Sequence, residues 1–458
     1  MSKIAVIGTG YVGLTTSIGL ASLGHQVVGY DVDPAKVQML KDGTLPIHEP
    51  GLGEILVDVL KSGNLKATSE LSEAVTDADF IFTCVPTPQD EDGSADLSYV
   101  ISASAAMKDF LKAGAVVITK STVPVGSAQI VENSIGRSDI EVASNPEFLR
   151  EGAAVYDFQN PDRIVVGARS SEVAQRVMDL YSKIDCPKVA TSQATAELIK
   201  YASNSFLAIK LSYVNDIAAL CEAVGADSHE VLNGMGLDTR IGNRFLEPGP
   251  GWGGSCFPKD TKALESIANS FGVELPLITA AIASNEAAHK RVADRVANAL
   301  GGSLTGKTIA VLGLTFKANT DDTRESPAIA VIEQLVSCGG KVVAYDPMVT
   351  KYDLTGMSLT DSAATAATAA AAGLMLPIGR VLPDHRGKPQ ARRICASDFY
   401  LISANARFTC KRLGVRSHWH PSDQPTSAQC NPPTSPTPPP ATPSGQSPVA
   451  QAWPSPRA

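Results

Sequence analysis

The chain has 458 residues, 44% of them hydrophobic and 19% charged, enough for two or three domains with substantial cores and unlike a disordered chain. Its net charge of −8 is concentrated in residues 1–360, where 43 Asp and Glu face 29 Lys and Arg, so nucleic acid is an unsuitable partner. The eight cysteines include no CxxC pair and no regular framework, which points to reduced thiols in a cytoplasmic protein rather than a disulfide scaffold or a metal site.

In chain order, Lys3–Ile7 is a short apolar run that starts almost at Met1, with no signal-peptide pattern ahead of it. Helical spacing follows over residues 14–23, and Gln26–Tyr30 predicts a second strand. Strand-like runs at 80–85, 116–119, 142–143 and 164–166, with helical stretches between several of them, predict a parallel sheet covered on both faces. Residues 191–225 contain no Pro, keep a helical period and end on Gly225, and so predict one long helix. That helix is apolar on more than one face, with Leu198, Phe206, Leu207 and Val214 among its large residues, which suits burial between domains or subunits. More helix is expected around 261–271 and 276–300. From 307 the opening grammar returns: "KTIAVLGLTF" repeats "KIAVIGTGYV", and "GGKVVAYDP" repeats "GHQVVGYDVDP".

After about Thr360 that grammar fails. The charge-free run between Asp361 and Arg380 is mostly Ala and Thr and too weakly apolar to span a membrane. Half of the 30 prolines lie beyond residue 376, and residues 361–458 carry 10 Lys and Arg against 4 Asp and Glu. This stretch is expected to be disordered, either as a natural Pro/Ser/Thr-rich linker or as the product of a shift of reading frame near 361–375. The predicted fold class is α/β: two Rossmann-like doubly wound domains joined by a long central helix, the second incomplete.

Chemistry-bearing motifs fall on this frame. Gly8, Gly10 and Gly13 form GxGxxG between the first strand and helix, with Tyr11 and Val12 inside the turn. The first glycine permits the turn, the second lets backbone approach a pyrophosphate, and the third allows close helix–strand packing. The helix N-terminus then offers free N–H groups to the phosphates. Asp31 ends the second strand, where a carboxylate accepts both ribose hydroxyls and repels a 2′-phosphate, which favours NAD over NADP. Lys36 is either a further ribose contact or a solvated surface lysine. Thr87, Ser121 and Thr122 supply hydroxyls in two proline-containing loops at expected strand ends. Glu147 and Glu151, with Arg150 between them, are either site residues or a solvated helical face. Lys200 and Asn204 share a face of the long helix; the lysine either snorkels to solvent or points at a buried anion.

"GPGWGGSCFPKD" sets Cys256 among glycines, with Lys259 and Asp260 within one turn. A lone cysteine is usually an inert core residue, but a thiol beside a cation and a carboxylate also suits covalent catalysis. The glycines are expected to leave room for a reacting carbon to reach the sulfur.

The GxGxxG domain, "NPEFLREG", "ELIKYASN", "GGSCFPKD" and "GLTFKANTDDTRESPA" occur here in one order, and together they resemble the nucleotide-sugar 6-dehydrogenases over residues 1 to about 360. The resemblance implies two successive NAD-dependent oxidations of a sugar C6 alcohol, with UDP-glucose as substrate and GDP-mannose or UDP-N-acetylmannosamine as alternatives. It implies that Cys256 forms a thiohemiacetal and then a thioester. Lys200 and Asn204 match oxyanion-stabilising positions, Asp260 the carboxylate that helps activate water, Glu147 the acid/base and Thr122 a hydroxyl near the reacting centre. Thr87, Thr122, Glu151 and Arg324 match cofactor contacts. Glu147, Phe148, Leu149, Lys200, Asn204 and Lys317 match substrate contacts, as does the loop of Phe245, Leu246, Glu247, Pro248, Gly249 and Gly251. Arg240 resembles an arginine that reaches a neighbouring subunit's substrate, and the long helix implies a homodimer. The expected divisions are an NAD-binding domain (1–190), a central helical domain with the catalytic loop (191–300), a partial UDP-sugar domain (301–360) and an atypical tail (361–458). Without a finished second domain, the chain is expected to bind NAD yet be impaired as a dehydrogenase, or to serve as a non-catalytic NAD-binding subunit.

Overall fold

The computed structural model describes residues 1–370, together with the backbone of 372–375, 400–403 and 411–412. The chain opens with β1 (Lys3–Ile7), α1 (Tyr11–Ser22), β2 (Gln26–Tyr30), α2 (Pro34–Lys41), α3 (Leu52–Lys61) and β3 (Leu65–Thr68). It continues through α4 (Leu71–Val75), β4 (Phe80–Thr83), α5 (Ser98–Met107), β5 (Val116–Thr119), α6 (Ser127–Ile135) and β6 (Glu141–Ser144). The first half closes with α7 (Ala154–Gln159), β7 (Ile164–Ala168), α8 (Ser171–Asp179) and β8 (Lys188–Thr191). These strands form one sheet in the order β3-β2-β1-β4-β5-β6-β7-β8, parallel throughout except between β6 and β7. The central strands are apolar on both faces because helices cover both, as the unbroken runs in β4 and β5 require. Strand order reverses between β1 and β4, and the carboxyl ends of those two strands open a crevice.

A single helix α9 (Gln193–Val224) leaves this domain. Ser192 caps it by accepting from Thr195 N–H, and Gly225, with φ of 75°, ends it in the left-handed conformation. α10 (Ser228–Gly236), α11 (Phe257–Ser270) and α12 (Pro276–Ala299) complete the central part. α11 begins four residues earlier than its spacing suggested, directly at Cys256, with Pro258 inside its first turn, where a missing N–H costs nothing.

The second half holds β9 (Thr308–Leu312), α13 (Pro327–Ser337), β10 (Lys341–Tyr345) and β11 (Met357–Leu359), with β11-β10-β9 parallel. The α/β grammar runs on past Thr360, contrary to expectation. α14 (Ala363–Ala369) leads into β12 (Ala372–Met375), which pairs parallel to β9; β13 (Tyr400–Ser403) and β14 (Lys411–Arg412) add antiparallel. The alanine run hid this because it lacks large apolar residues; Ala366 and Ala370 instead pack closely on Ala310 and Leu312. The rest of the tail expected to be disordered lies outside the described residues. Among the described residues no helix is long and apolar enough to cross a membrane.

Candidate active site where two cavities meet

The glycine turn is fixed by close approach rather than by flexibility. A Cβ on Gly13 would stand 1.8 Å from the Gly8 carbonyl oxygen, whereas one on Gly10 would meet nothing within 4 Å. The open side at Gly10 faces a cavity of about 720 Å³, which Gly8, Tyr11 and Val12 also line; Gly13 is packed behind it. Asp31 stands on the same cavity, with Oδ2 accepting from Thr9 N–H at 2.8 Å and Thr9 Oγ1 at 2.7 Å, and Oδ1 from Asp33 N–H at 3.0 Å. Burial favours its neutral form, but the bonds from Asp33 and Thr9 and the nearby Lys36 outweigh it, holding Asp31 below the usual carboxylate range. Lys36 Nζ lies 3.9 Å from Asp31 and lines the cavity, as do Thr87, Ser121, Thr122, Glu151 and Arg324. Open backbone at a helix N-terminus beside an ionised carboxylate fits a dinucleotide with an unphosphorylated ribose.

A second cavity of about 540 Å³ adjoins the first, and Glu147, Leu149 and Cys256 line both. Phe148, Lys200, Asn204 and Phe245 line the second alone. The segment 145–152 is not a helix, and Glu147 is not a solvated residue: it is 7% exposed. Lys200, 3% exposed, donates to its Oε1 at 2.8 Å and to its backbone carbonyl at 2.7 Å, while Leu149 N–H donates to Oε2 at 2.6 Å. Burial opposes both charges. Lys200 nonetheless holds Glu147 below the ordinary carboxylate range, and Glu147, Cys256 and Asp260 raise Lys200 above the ordinary lysine range.

Cys256 sits at the N-cap of α11, and Asp260 N–H makes the first helical bond to its carbonyl at 2.8 Å, so thiol and carboxylate lie one turn apart. Asp260 is fully buried; Asn204 Nδ2 donates to its Oδ2 at 2.6 Å and Lys259 Nζ to its Oδ1 at 2.5 Å. This corrects the expected role of Lys259: its charge is engaged by Asp260, and the cation acting on the thiol is Lys200. Burial pushes the Cys256 thiol up to about 11, with Lys200 only partly opposing and Glu147 and Asp260 adding to the rise. Near neutral pH the site therefore carries a thiol rather than a preformed thiolate.

The glycines of the loop also do something other than expected. A Cβ on Gly253 would lie 1.9 Å from the Glu325 carbonyl oxygen, and one on Gly254 would lie 2.7 Å from the Phe316 ring. They let the Cys256 loop press against the second half of the chain rather than clear a path to sulfur. Leu246 and Pro248 are buried, Glu247 is exposed, and Gly249 N–H donates to Asn215 at 2.8 Å; of the loop 245–251 only Phe245 lines the second cavity. Gly251, at φ of 134°, packs against Asn285 and His289. Arg240 is 87% exposed and pairs with Asp238, away from both cavities. Lys317 is half-buried over the Phe316 ring and lines neither.

Several site residues gave no sequence signal. Arg163 stacks 3.6 Å over the Phe148 ring inside the second cavity. Ser255 donates to Glu151 at 2.9 Å and stands 3.7 Å from Cys256 Sγ. Lys120, 8% exposed, donates to Asn145 at 3.0 Å and has no carboxylate partner within bonding distance among the described residues; burial pushes it down to about 8. Lys120 directly precedes the singled-out Ser121 and Thr122, and Asn145 opens "NPEFLREG", so only their positions, not their identities, hinted at a site.

Comparison with known proteins accounts for this arrangement. Residues 2–185 match the NAD binding domain, 194–287 the central domain and 310–376 the UDP binding domain of the UDP-glucose/GDP-mannose dehydrogenase family. The chain is 48% identical over 355 residues to UDP-glucose 6-dehydrogenase of Rhizobium meliloti, covering 75% of this chain and 81% of that protein. It is 45% identical over 353 residues to UDP-glucose 6-dehydrogenase TuaD of Bacillus subtilis, covering 76% of each. The solved UDP-glucose dehydrogenase from Pyrobaculum islandicum superposes with a TM-score of 0.79 at 40% identity, covering 86% of this chain and 92% of that one. With three domains matched in order and a dinucleotide cleft that fits NAD, the chain belongs to the UDP-glucose/GDP-mannose dehydrogenase family.

Proposed function

We propose that the chain oxidises the C6 alcohol of UDP-glucose twice to give UDP-glucuronate, with Cys256 carrying the intermediate. The observation behind this is the position of Cys256 on both cavities at once, with Lys200, Asn204 and Asp260 grouped around it. Gly8, Gly10, Tyr11 and Asp31 would hold NAD in the first cavity, where it would supply the hydride acceptor for each oxidation. Glu147, ionised beside Lys200, takes the alcohol proton, and the Lys200 ammonium stabilises the oxyanions that form. Sγ then adds to the aldehyde carbon while its proton passes to the carbonyl oxygen, which retains the aldehyde for the second oxidation. Water cleaves the resulting thioester, restoring the thiol and releasing the uronate. Asp260, one turn from Cys256 and held by Asn204, orients that water.

UDP-glucose is favoured among family substrates because the relatives described above carry that activity in their names. The enzyme acts in the cytoplasm as a homodimer packed through α9, whose Leu198, Phe206, Tyr213, Leu220 and Val224 are exposed apolar residues. The family match ends at residue 376, so NAD affinity is retained while turnover is reduced for want of the later UDP-binding strands. An endpoint assay of UDP-glucose, GDP-mannose and UDP-N-acetylmannosamine, scoring NADH and uronate, tests this. The expected result is UDP-glucose preferred, with two NADH per uronate. Preference for another sugar nucleotide, or tight NAD binding with no turnover of any, overturns it.

A further inference from the structure

A buried carboxylate outside the proposed catalytic set ties the cofactor turn to the segment that carries Glu151. Glu49 lies between α2 and α3 and is 5% exposed. Its Oε2 accepts from the Tyr11 hydroxyl and from Gly152 N–H at 2.7 Å, and its Oε1 accepts from Ala154 N–H at 2.8 Å. Gly152 N–H also reaches the Tyr11 hydroxyl oxygen at 3.1 Å, which closes the three groups into one knot.

The knot joins two separate segments that line the first cavity. Tyr11 lines it from the glycine turn, and Glu151, adjacent to Gly152, lines it from the 145–152 segment. Glu151 continues the chain of contacts to Ser255, next to Cys256. Gly152 is fixed on its far side as well, since a Cβ there would stand 2.5 Å from the Asn319 carbonyl oxygen. The turn 151–153 therefore cannot shift toward the second half of the chain, and Glu49 holds it from behind. Bonds to an ionised acceptor are stronger than neutral ones, and losing one leaves a buried donor unpaired.

We infer that Glu49 is a positioning residue of the cofactor cleft: by gathering the Tyr11 hydroxyl and the Gly152 and Ala154 amides on one carboxylate, it sets the spacing between the glycine turn and Glu151, and with it the affinity for NAD. This rests on the first cavity being the NAD cleft.

The test is calorimetric titration of NAD into the full chain, without sugar nucleotide, for the wild type, Glu49→Gln, Tyr11→Phe and the double variant. Glu49→Gln keeps the side chain's shape but turns an amide N–H2 toward one of the three donors; Tyr11→Phe removes the hydroxyl alone. Each raises the Kd for NAD about tenfold, the worth of one buried hydrogen bond, and the double variant is little weaker than either single because both break one knot. Melting temperatures are measured in parallel. A lower melting temperature with NAD affinity within about twofold of wild type reduces Glu49 to a structural role and overturns the inference. A double variant weaker by the product of the two singles does the same. Absence of NAD binding by the unaltered chain overturns the cofactor reading itself and the inference with it, whereas unchanged affinity in the variants overturns the inference alone.

Discussion

Replacing Lys200 by Met keeps an unbranched stem in the core and removes the ammonium that faces Glu147. Both side chains are buried and the Nζ–Oε1 separation is 2.8 Å, so the carboxylate loses its ion partner without gaining water. Breaking a buried pair from one side costs roughly 3–5 kcal/mol. The pH dependence follows from the directions of the shifts. In the wild type Glu147 is held below its ordinary range, so its contribution to stability is present above that range and is lost as pH falls through the lowered value. Lys200 is raised, so its contribution is present below the ordinary lysine range and is lost as pH rises through the higher value. In Lys200→Met, burial dominates Glu147 with only Leu149 N–H and Lys120 opposing, so its pKa moves up and the variant loses stability as pH rises. Between the two folded-state values the variant binds one more proton than the wild type. The stability gap therefore widens by about 1.4 kcal/mol per pH unit between those two values. Urea unfolding of both proteins at about pH 4, 6 and 8 measures this, and adding Glu147→Gln to the variant recovers part of the loss. A gap of constant size across that range refutes the buried-pair account.

With the thiol at about 11, Cys256 in the free protein alkylates slowly near neutral pH; the thiolate fraction at pH 8 is about one in a thousand, and the rate climbs about tenfold per pH unit toward pH 10. Mass spectrometry of the Cys256 peptide after iodoacetamide treatment reads this, and a midpoint near pH 7 contradicts it. Asp31→Ala removes the carboxylate at the end of β2; the Kd for NAD rises about tenfold while that for NADP falls or holds, and unchanged discrimination between the two counts against Asp31 as the ribose acceptor. Gly253→Ala forces a Cβ onto the Glu325 carbonyl, so turnover collapses while NAD binding by the first half persists; wild-type turnover shows the loop does not need that contact.

The first domain was legible because its signals are local. Apolar runs, a glycine turn and an acid at a strand end fix strand–helix–strand units, and Asp31 lies where that logic puts it. Two strands were missed for physical reasons: β3 is only four residues long, and β8 is an exposed edge with no apolar run. The site was legible as a set of residues but not as charges. Lys259 and Lys200 look alike in sequence, and only the fold shows that Asp260 engages one while Glu147 and the thiol face the other. Glu49, Lys120 and Arg163 left no trace because their partners are distant in the chain: Glu49 bonds Tyr11, Gly152 and Ala154 at separations of 38, 103 and 105 residues, Lys120 bonds Asn145 at 25 and Arg163 bonds Ser203 at 40. The alanine run after Thr360 misled in the other direction, since small residues that pack tightly on β9 look weak in any count of apolar character.

The covalent role of Cys256 is tested most directly by Cys256→Ser incubated with UDP-glucose and saturating NAD. The predicted result is NAD affinity like that of the wild type, no UDP-glucuronate released, and a serine ester of the sugar nucleotide as the furthest species reached, seen as added mass on the peptide that carries position 256. Uronate formed by that variant at the wild-type rate contradicts the account, because oxidation would then pass through the site without a bond to sulfur.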